Sequence, residues 1–232
     1  MKITVLGDSI LEGVRYENGH YTRSHELMHL FQAEHNVEFV NLSRFGATVD
    51  KGLAKLKKYL ETETLGSYTI IEFGGNDSAY RWGEVAAHPG ARHDCTTPPD
   101  EFRRIYKELI DLVYKNGSWP IVCSLPPISS RRYFDYVTRD GLDRAAILRW
   151  MQGDVEFMSR HQESYSRMSE ELGEDRGCIR LDLRSAFPTS GEELEAYLCV
   201  DGIHPNIAGQ QLIYRRASSE WPKLIAAREG RI

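Results

Sequence analysis

The chain has 232 residues and a formal net charge of −5, with acidic and basic residues interspersed. That length fits one large domain, expected over residues 1–232, which can bury a core without disulfides or metal. With no basic stripe and no apolar run near the ~18 residues that span a bilayer, neither nucleic acid nor a membrane is expected as a partner.

Lys2-Ile3-Thr4-Val5-Leu6 is an apolar run of strand length that leads straight into Gly7-Asp8-Ser9-Ile10. A cleavable leader does not fit there. A cytoplasmic protein with reduced thiols at Cys95, Cys123, Cys178 and Cys199 is therefore expected. Residues 22–35 carry Leu27, Leu30 and Phe31 at helical spacing and predict a first helix with those three on its buried stripe. Residues 37–42 predict a second strand, followed by Gly46. Residues 51–60 predict a helix with Leu53, Leu56 and Leu60 on one face and lysines on the other. The third strand, over 68–73, closes on Gly74-Gly75-Asn76-Asp77. Residues 78–99 are rich in Gly, Pro, His and Trp and are expected to form a loop insertion. Pro98-Pro99-Asp100-Glu101 reads as a helix start, and Phe102, Ile105, Tyr106, Leu109, Ile110 and Val113 continue it. A fourth strand over 119–125 precedes a second loop insertion near 126–140. A long helix is expected from about Leu142 to Leu172, then a fifth strand over 178–183. A last helix follows Asp201-Gly202-Ile203-His204-Pro205-Asn206.

Several of these strand runs are nearly continuous in apolar residues, which suits strands buried on both faces of a parallel sheet. Strand followed by helix, five times over, predicts an α/β domain of three layers with a doubly wound sheet. Ligands of such sheets collect at the C-terminal ends of the strands. Ser9, Gly46 and Asn76 therefore fall on one edge of the molecule.

Each of these residues has a plain structural reading. Ser9 suits a helix N-cap, Gly74-Gly75-Asn76-Asp77 a tight turn, and Asp201 with His204 a surface loop. Taken together they supply an acyl-transfer site. A serine hydroxyl needs a base to remove its proton. Asp201, three residues before His204, can accept from Nδ1–H and leave Nε2 for the serine. The Asn76 amide and the Gly46 backbone N–H can donate to a developing oxyanion.

In this order the motifs resemble the four blocks of the SGNH hydrolases, also called GDSL esterases. Gly7-Asp8-Ser9 matches the first block, with Ile10 where many members have Leu. Gly46 matches the second, Gly74-Gly75-Asn76-Asp77 the third and Asp201-Gly202-Ile203-His204 the last. The resemblance covers residues 2 to about 215. It implies a flavodoxin-like five-stranded sheet of order 2-1-3-4-5 and no cofactor. It implies Ser9 as nucleophile, His204 as base and then acid, and Asp201 as the group orienting His204. The Ser9 N–H, the Gly46 N–H and the Asn76 side chain are the implied oxyanion donors.

His25-Glu26-Leu27-Met28-His29 also matches the zinc-protease pattern H-E-x-x-H, with His35 at the spacing of a third ligand. The glycine that bends the longer motif is Gln32 here. A continuing helix would put His35 ~15 Å along the axis from His25. Incidental surface histidines and no metal are expected, with zinc hydrolysis and a non-catalytic binding module as distant alternatives. Trp82, Arg131 and Tyr133 are candidate substrate-binding residues. Aromatics beside polar donors suit a small acyl group, such as acetyl, on a polar or carbohydrate alcohol. A thioesterase or lysophospholipase would use the same residues. The expected partner is a small-molecule ester, and a homo-oligomer is left open.

Overall fold

A computed structural model describes residues 1–189 and 191–229. The domain expected over 1–232 thus includes residues 190 and 230–232, which lie outside the described residues. In chain order the elements are β1 (Lys2–Gly7), β2 (Val14–Glu17), β3 (His20–Arg23), α1 (Glu26–His35), β4 (Glu38–Asn41), α2 (Val49–Tyr59), β5 (Tyr68–Glu72), α3 (Trp82–Ala87) and α4 (Pro99–Lys115). There follow β6 (Trp119–Cys123), α5 (Ser130–Thr138), α6 (Arg144–Trp150), α7 (Phe157–Asp175), β7 (Ile179–Leu181), a 3₁₀ turn (Arg184–Ala186), α8 (Gly191–Glu195) and α9 (Ile207–Glu229).

The central sheet runs β4-β1-β5-β6-β7, and every pairing in it is parallel. Counted along the chain within that sheet, the order is 2-1-3-4-5, as expected. Ile3, Tyr68, Ile121 and Ile179 pack on one face against Phe31 of α1 and Trp221 and Leu224 of α9. Leu6, Ile71 and Val122 pack on the other face against α2, α4 and α7. These are the three α/β/α layers. Helix α4 shows why the layers hold. Phe102, Ile105, Tyr106, Leu109, Ile110 and Val113 fall on one stripe and all are buried. Each such side chain contributes about 1.5–3 kcal/mol relative to exposure, before the entropy of ordering it. Pro99 starts that helix, where a missing N–H costs nothing.

Several expectations are corrected. Residues 14–23 form an antiparallel hairpin, β2–β3, so α1 starts at Glu26 and not at residue 22. Within α1 only Phe31 is buried, and Leu30 is 49 % exposed. This short helix lies over the edge of the sheet and meets α9, which leaves its outer face in solvent. The insertions expected as loops contain helices, α3 in the first and α5 in the second. The long helix expected over 142–172 is two. Gln152 (φ 59°) and Gly153 (φ 81°) adopt left-handed backbone and separate α6 from α7. With α3 and α5, these segments form a separate apolar cluster around Trp82, Val85, Phe134, Ile147, Met151 and Met158. Among the described residues no helix is long and apolar enough to cross a membrane. The four cysteines are free thiols, three of them buried.

Candidate active site

Because the sheet is parallel, β1, β4 and β5 all end on the same edge, and their following loops carry Ser9, Gly46 and Asn76. β1 stops at Gly7, and the chain turns at once. The Asp8 carboxylate accepts from the Ile10 N–H at 2.9 Å, and the Glu12 N–H donates to the Asp8 carbonyl at 3.1 Å. This turn presents Ser9, which is 6 % exposed.

His204 reaches Ser9 from the loop before α9. Its Nε2 lies 2.8 Å from Ser9 Oγ, and its Nδ1 lies 2.6 Å from Asp201 Oδ2. Asp201 is fully buried, and its Oδ1 also accepts from the Ile203 and His204 N–H groups, each at 3.1 Å. A carboxylate bound on both oxygens within its own loop fixes the imidazole plane and directs Nε2 at Ser9 Oγ. Tyr21 of the hairpin and Phe45 flank the His204 ring, with centroids at 5.4 and 6.1 Å.

Gly46 has φ 68°, a conformation that suits glycine, and its Cα faces open space. Among the described residues no acceptor takes the Ser9 or the Gly46 N–H. Asn76 differs. Its Nδ2 donates to Asp8 Oδ2 and to the Ala47 carbonyl, both at 3.0 Å, so both amide hydrogens are engaged within the protein. Asp77 is buried and accepts from the Val49 N–H at 3.1 Å, which ties the loop after β5 to the start of α2. Burial pushes its carboxyl up to about 7 against the hydrogen bonds from Thr97 and Val49.

A cavity of about 160 Å³ opens beside Ser9 and is bounded by Gly46, Asn76, Trp82, Tyr133 and His204 among others. Trp82 Nε1 donates to Tyr133 Oη at 3.1 Å, so two of the three expected substrate-binding residues stand together in its wall. Arg131 is not among the lining residues. Its guanidinium pairs with Glu195, as its Nε–Oε1 distance of 3.2 Å shows.

That pairing belongs to a clamp with no local signature in the sequence. Glu195 is 6 % exposed and takes Ser129 Oγ–H at 2.6 Å as well as Arg131. The Arg132 guanidinium donates to the backbone carbonyls of Glu195 (2.7 Å) and Leu198 (2.9 Å). The Ser129 N–H donates to the Gly202 carbonyl at 2.8 Å. Gly202 has φ 74°, and a Cβ there would lie 2.5 Å from the Tyr133 nitrogen. Only glycine lets the loop carrying Asp201 and His204 sit this close to the start of α5. Tyr21 was also missed, although Asn18-Gly19 is a strong hairpin signal, and both residues have positive φ (52° and 80°).

In the H-E-x-x-H segment, His25 is the N-cap of α1, and its ring centroid lies 6.5 Å from that of His29. His35 is engaged by Ser218 Oγ of α9 at 2.6 Å. Among the described residues no group of three His, Cys, Asp or Glu is placed to hold a metal ion.

A three-layer parallel fold with this serine–histidine–carboxylate edge defines an α/β hydrolytic class. The model of the GDSL-like lipase/acylhydrolase family matches residues 5–212, and the chain belongs to that family. Among solved structures it is similar to a lipase/acylhydrolase from Enterococcus faecalis, at 20 % identity and TM-score 0.63 over 94 % of this chain and 96 % of that one. An α/β hydrolase enzyme from the metagenome of Lake Arreo, Spain, gives 21 % and 0.65 over 96 % and 95 %. A catalytic mutant of an acetylxylan esterase from Geobacillus stearothermophilus gives 18 % and 0.64 over 94 % and 93 %. No curated protein matches the chain significantly.

Proposed function

We propose that the protein is a serine esterase that removes small acyl groups from a polar alcohol, with Ser9, His204 and Asp201 as its triad. The observation that carries the reading is the unbroken line from Asp201 Oδ2 through His204 to Ser9 Oγ, at 2.6 and 2.8 Å.

Ser9 Oγ attacks the ester carbonyl carbon while its proton passes to His204 Nε2, and the carbonyl π pair moves onto oxygen. That oxyanion is held by the free Ser9 and Gly46 N–H groups. Asn76 is the third donor. One of its hydrogens stays on Asp8, and the other, on the Ala47 carbonyl, is shared with the oxyanion. Collapse expels the alkoxide, which takes the proton from His204 and leaves an acyl-Ser9 ester. Water then repeats the sequence, giving its proton to His204 and its oxygen to the acid. No cofactor takes part.

The small cavity and the Trp82–Tyr133 wall support a short acyl group or a single polar ring. The acetylxylan esterase among the similar structures fits the same substrate class. Hydrolysis of p-nitrophenyl acetate, butyrate and octanoate by the wild type and by Ser9→Ala, each with and without a strong chelator, tests both halves. The expected result is chelator-resistant activity that collapses in Ser9→Ala and falls with acyl length. Full activity in Ser9→Ala would overturn the triad. A preference for octanoate would move the reading to a lysophospholipase-like substrate.

A further inference from the structure

Beneath the site lie two buried carboxyl groups, Glu72, which has no part in that scheme, and Asp8, which enters it only as the acceptor of one Asn76 hydrogen. Glu72 ends β5 opposite Gly7 of β1, and Asp8 follows Gly7, so the two acids meet at the ends of adjacent strands. They are 1 % and 2 % exposed, both border the cavity, and the charge on one raises the other. Asp8 is the better supplied of the two. Its Oδ1 accepts from the Ile10 N–H and its Oδ2 from the Asn76 amide. Glu72 Oε2 is buried with no hydrogen-bond partner.

We propose that Asp8 and Glu72 hold a single proton between them, seated on Glu72, and that this acid pair is a positioning device for the Asn76 amide. The inference rests on the esterase reading for its consequence in catalysis, but not for the shared proton itself.

The physical argument is one of desolvation and like charge. Two facing carboxylates removed from water cannot both ionise, so the pair keeps one proton and one charge. The charge falls on Asp8, whose two oxygens accept from the Ile10 N–H and the Asn76 amide, and the proton on Glu72, which has the Asp8 N–H alone and one oxygen without a partner. Burial raises both acids, and the Asp8 charge raises Glu72 further. An anionic Asp8 holds one Asn76 hydrogen firmly, which fixes the amide plane and aims the other hydrogen. Other titratable groups surround the pair. His204 faces Asp8 and lowers it when charged, and Asp77 lies close to both acids. Tyr106 of α4 and Cys123 of β6 approach Glu72, and burial keeps both neutral. Raising the pH therefore removes the shared proton and leaves two facing anions under Ser9. Their repulsion pushes the Asp8 carboxylate off the position that aims the Asn76 amide, and kcat falls on the alkaline side.

The test compares Glu72→Gln with Glu72→Leu. The Gln amide donates to Asp8 at every pH, so its alkaline limb moves to higher pH or vanishes. The Leu variant leaves Asp8 without that donor, and kcat falls about fivefold, the rate equivalent of one hydrogen bond, with KM nearly unchanged. A Gln variant that keeps the wild-type alkaline limb, or a Leu variant indistinguishable from Gln, would overturn the proposal. Infrared difference spectra supply a second readout that needs no activity. Wild type and Ser9→Ala should both show, at neutral pH, a C=O stretch of a protonated buried carboxyl that survives Asp77→Asn and is lost in Glu72→Leu. Its absence from wild type also overturns the shared proton. The band in an inactive Ser9→Ala separates this inference from the fate of the triad.

Discussion

Asp77 offers a quantitative test of how the loop after β5 is held. Its carboxyl is fully buried, accepts from the Val49 N–H, and is pushed from its ordinary 3.8 up to about 7. The folded chain therefore keeps the Asp77 proton at pH values where the unfolded chain has released it. Where the native state binds the extra proton, stability falls as pH rises. The contribution is fully present below pH ~4 and gone above pH ~7. Integrating the two titrations gives a loss of roughly 2.5 kcal/mol between pH 5 and pH 8 from this residue alone. For a chain of this size that corresponds to about 5–10 °C in Tm. Asp77→Asn removes the titration, while its amide oxygen can still accept from Val49. Urea unfolding of wild type and variant at pH 5 and pH 8 isolates the term, because Asp8 and Glu72 tilt both proteins alike. The variant should lose about that much less stability than wild type over the interval. Equal losses in the two proteins would show that Asp77 is charged in the fold, and the desolvation argument would fail.

On the proposed esterase reading, Asn76→Ala removes one oxyanion donor and is expected to lower kcat by about 10²–10³-fold, with KM little changed. A rise in KM alone would assign Asn76 to ground-state binding. Gly46→Ala and Gly202→Ala separate backbone strain from packing. Both positions have positive φ, but a Cβ at Gly46 meets nothing within 4 Å, whereas at Gly202 it meets the Tyr133 nitrogen. Thermal unfolding should show a cost of ~1–2 kcal/mol for the first and a clearly larger one for the second. Arg132→Ala breaks donations to three carbonyls of the segment leading to Asp201. About 2 kcal/mol of stability should be lost, with a fall in kcat as His204 shifts; unchanged kinetics would show that the loop holds itself.

The sheet was legible because strands buried on both faces need apolar residues at every position. The runs beginning at Ile3, Tyr68 and Trp119 come close to that without any knowledge of partners, with Thr4, Thr69 and Glu72 as buried polar exceptions. The hairpin was readable in principle from Asn18-Gly19, but the helical spacing downstream drew residues 22–25 into α1. The break between α6 and α7 had a signal in Gly153. No periodicity predicts that Gln152 before it also adopts left-handed backbone. In the site, the motifs gave Ser9, Gly46, Asn76, Asp201 and His204 because each sits in a short segment of its own. The groups that brace them lie far apart in sequence. Arg132 and Glu195 are surface-type residues by composition, and only the fold brings them together. Arg131 was expected at the substrate for the same reason. Its charge looked free, yet Glu195 had already claimed it.

These braces bear on how the site works. The segment 126–140 was expected as a loop insertion, but α5 within it faces two ways. Tyr133 stands in the cavity wall, and its own nitrogen packs against Gly202 in the loop that carries Asp201 and His204. Ser129, one turn earlier, binds both Gly202 and Glu195. The cavity wall and the loop that carries His204 are thus one mechanical unit, joined through the first turn of α5. A substituent that pushes on Tyr133 also pushes on the His204 loop. Substitutions in this wall, Trp82 included through its hydrogen bond to Tyr133, should therefore alter kcat and KM together.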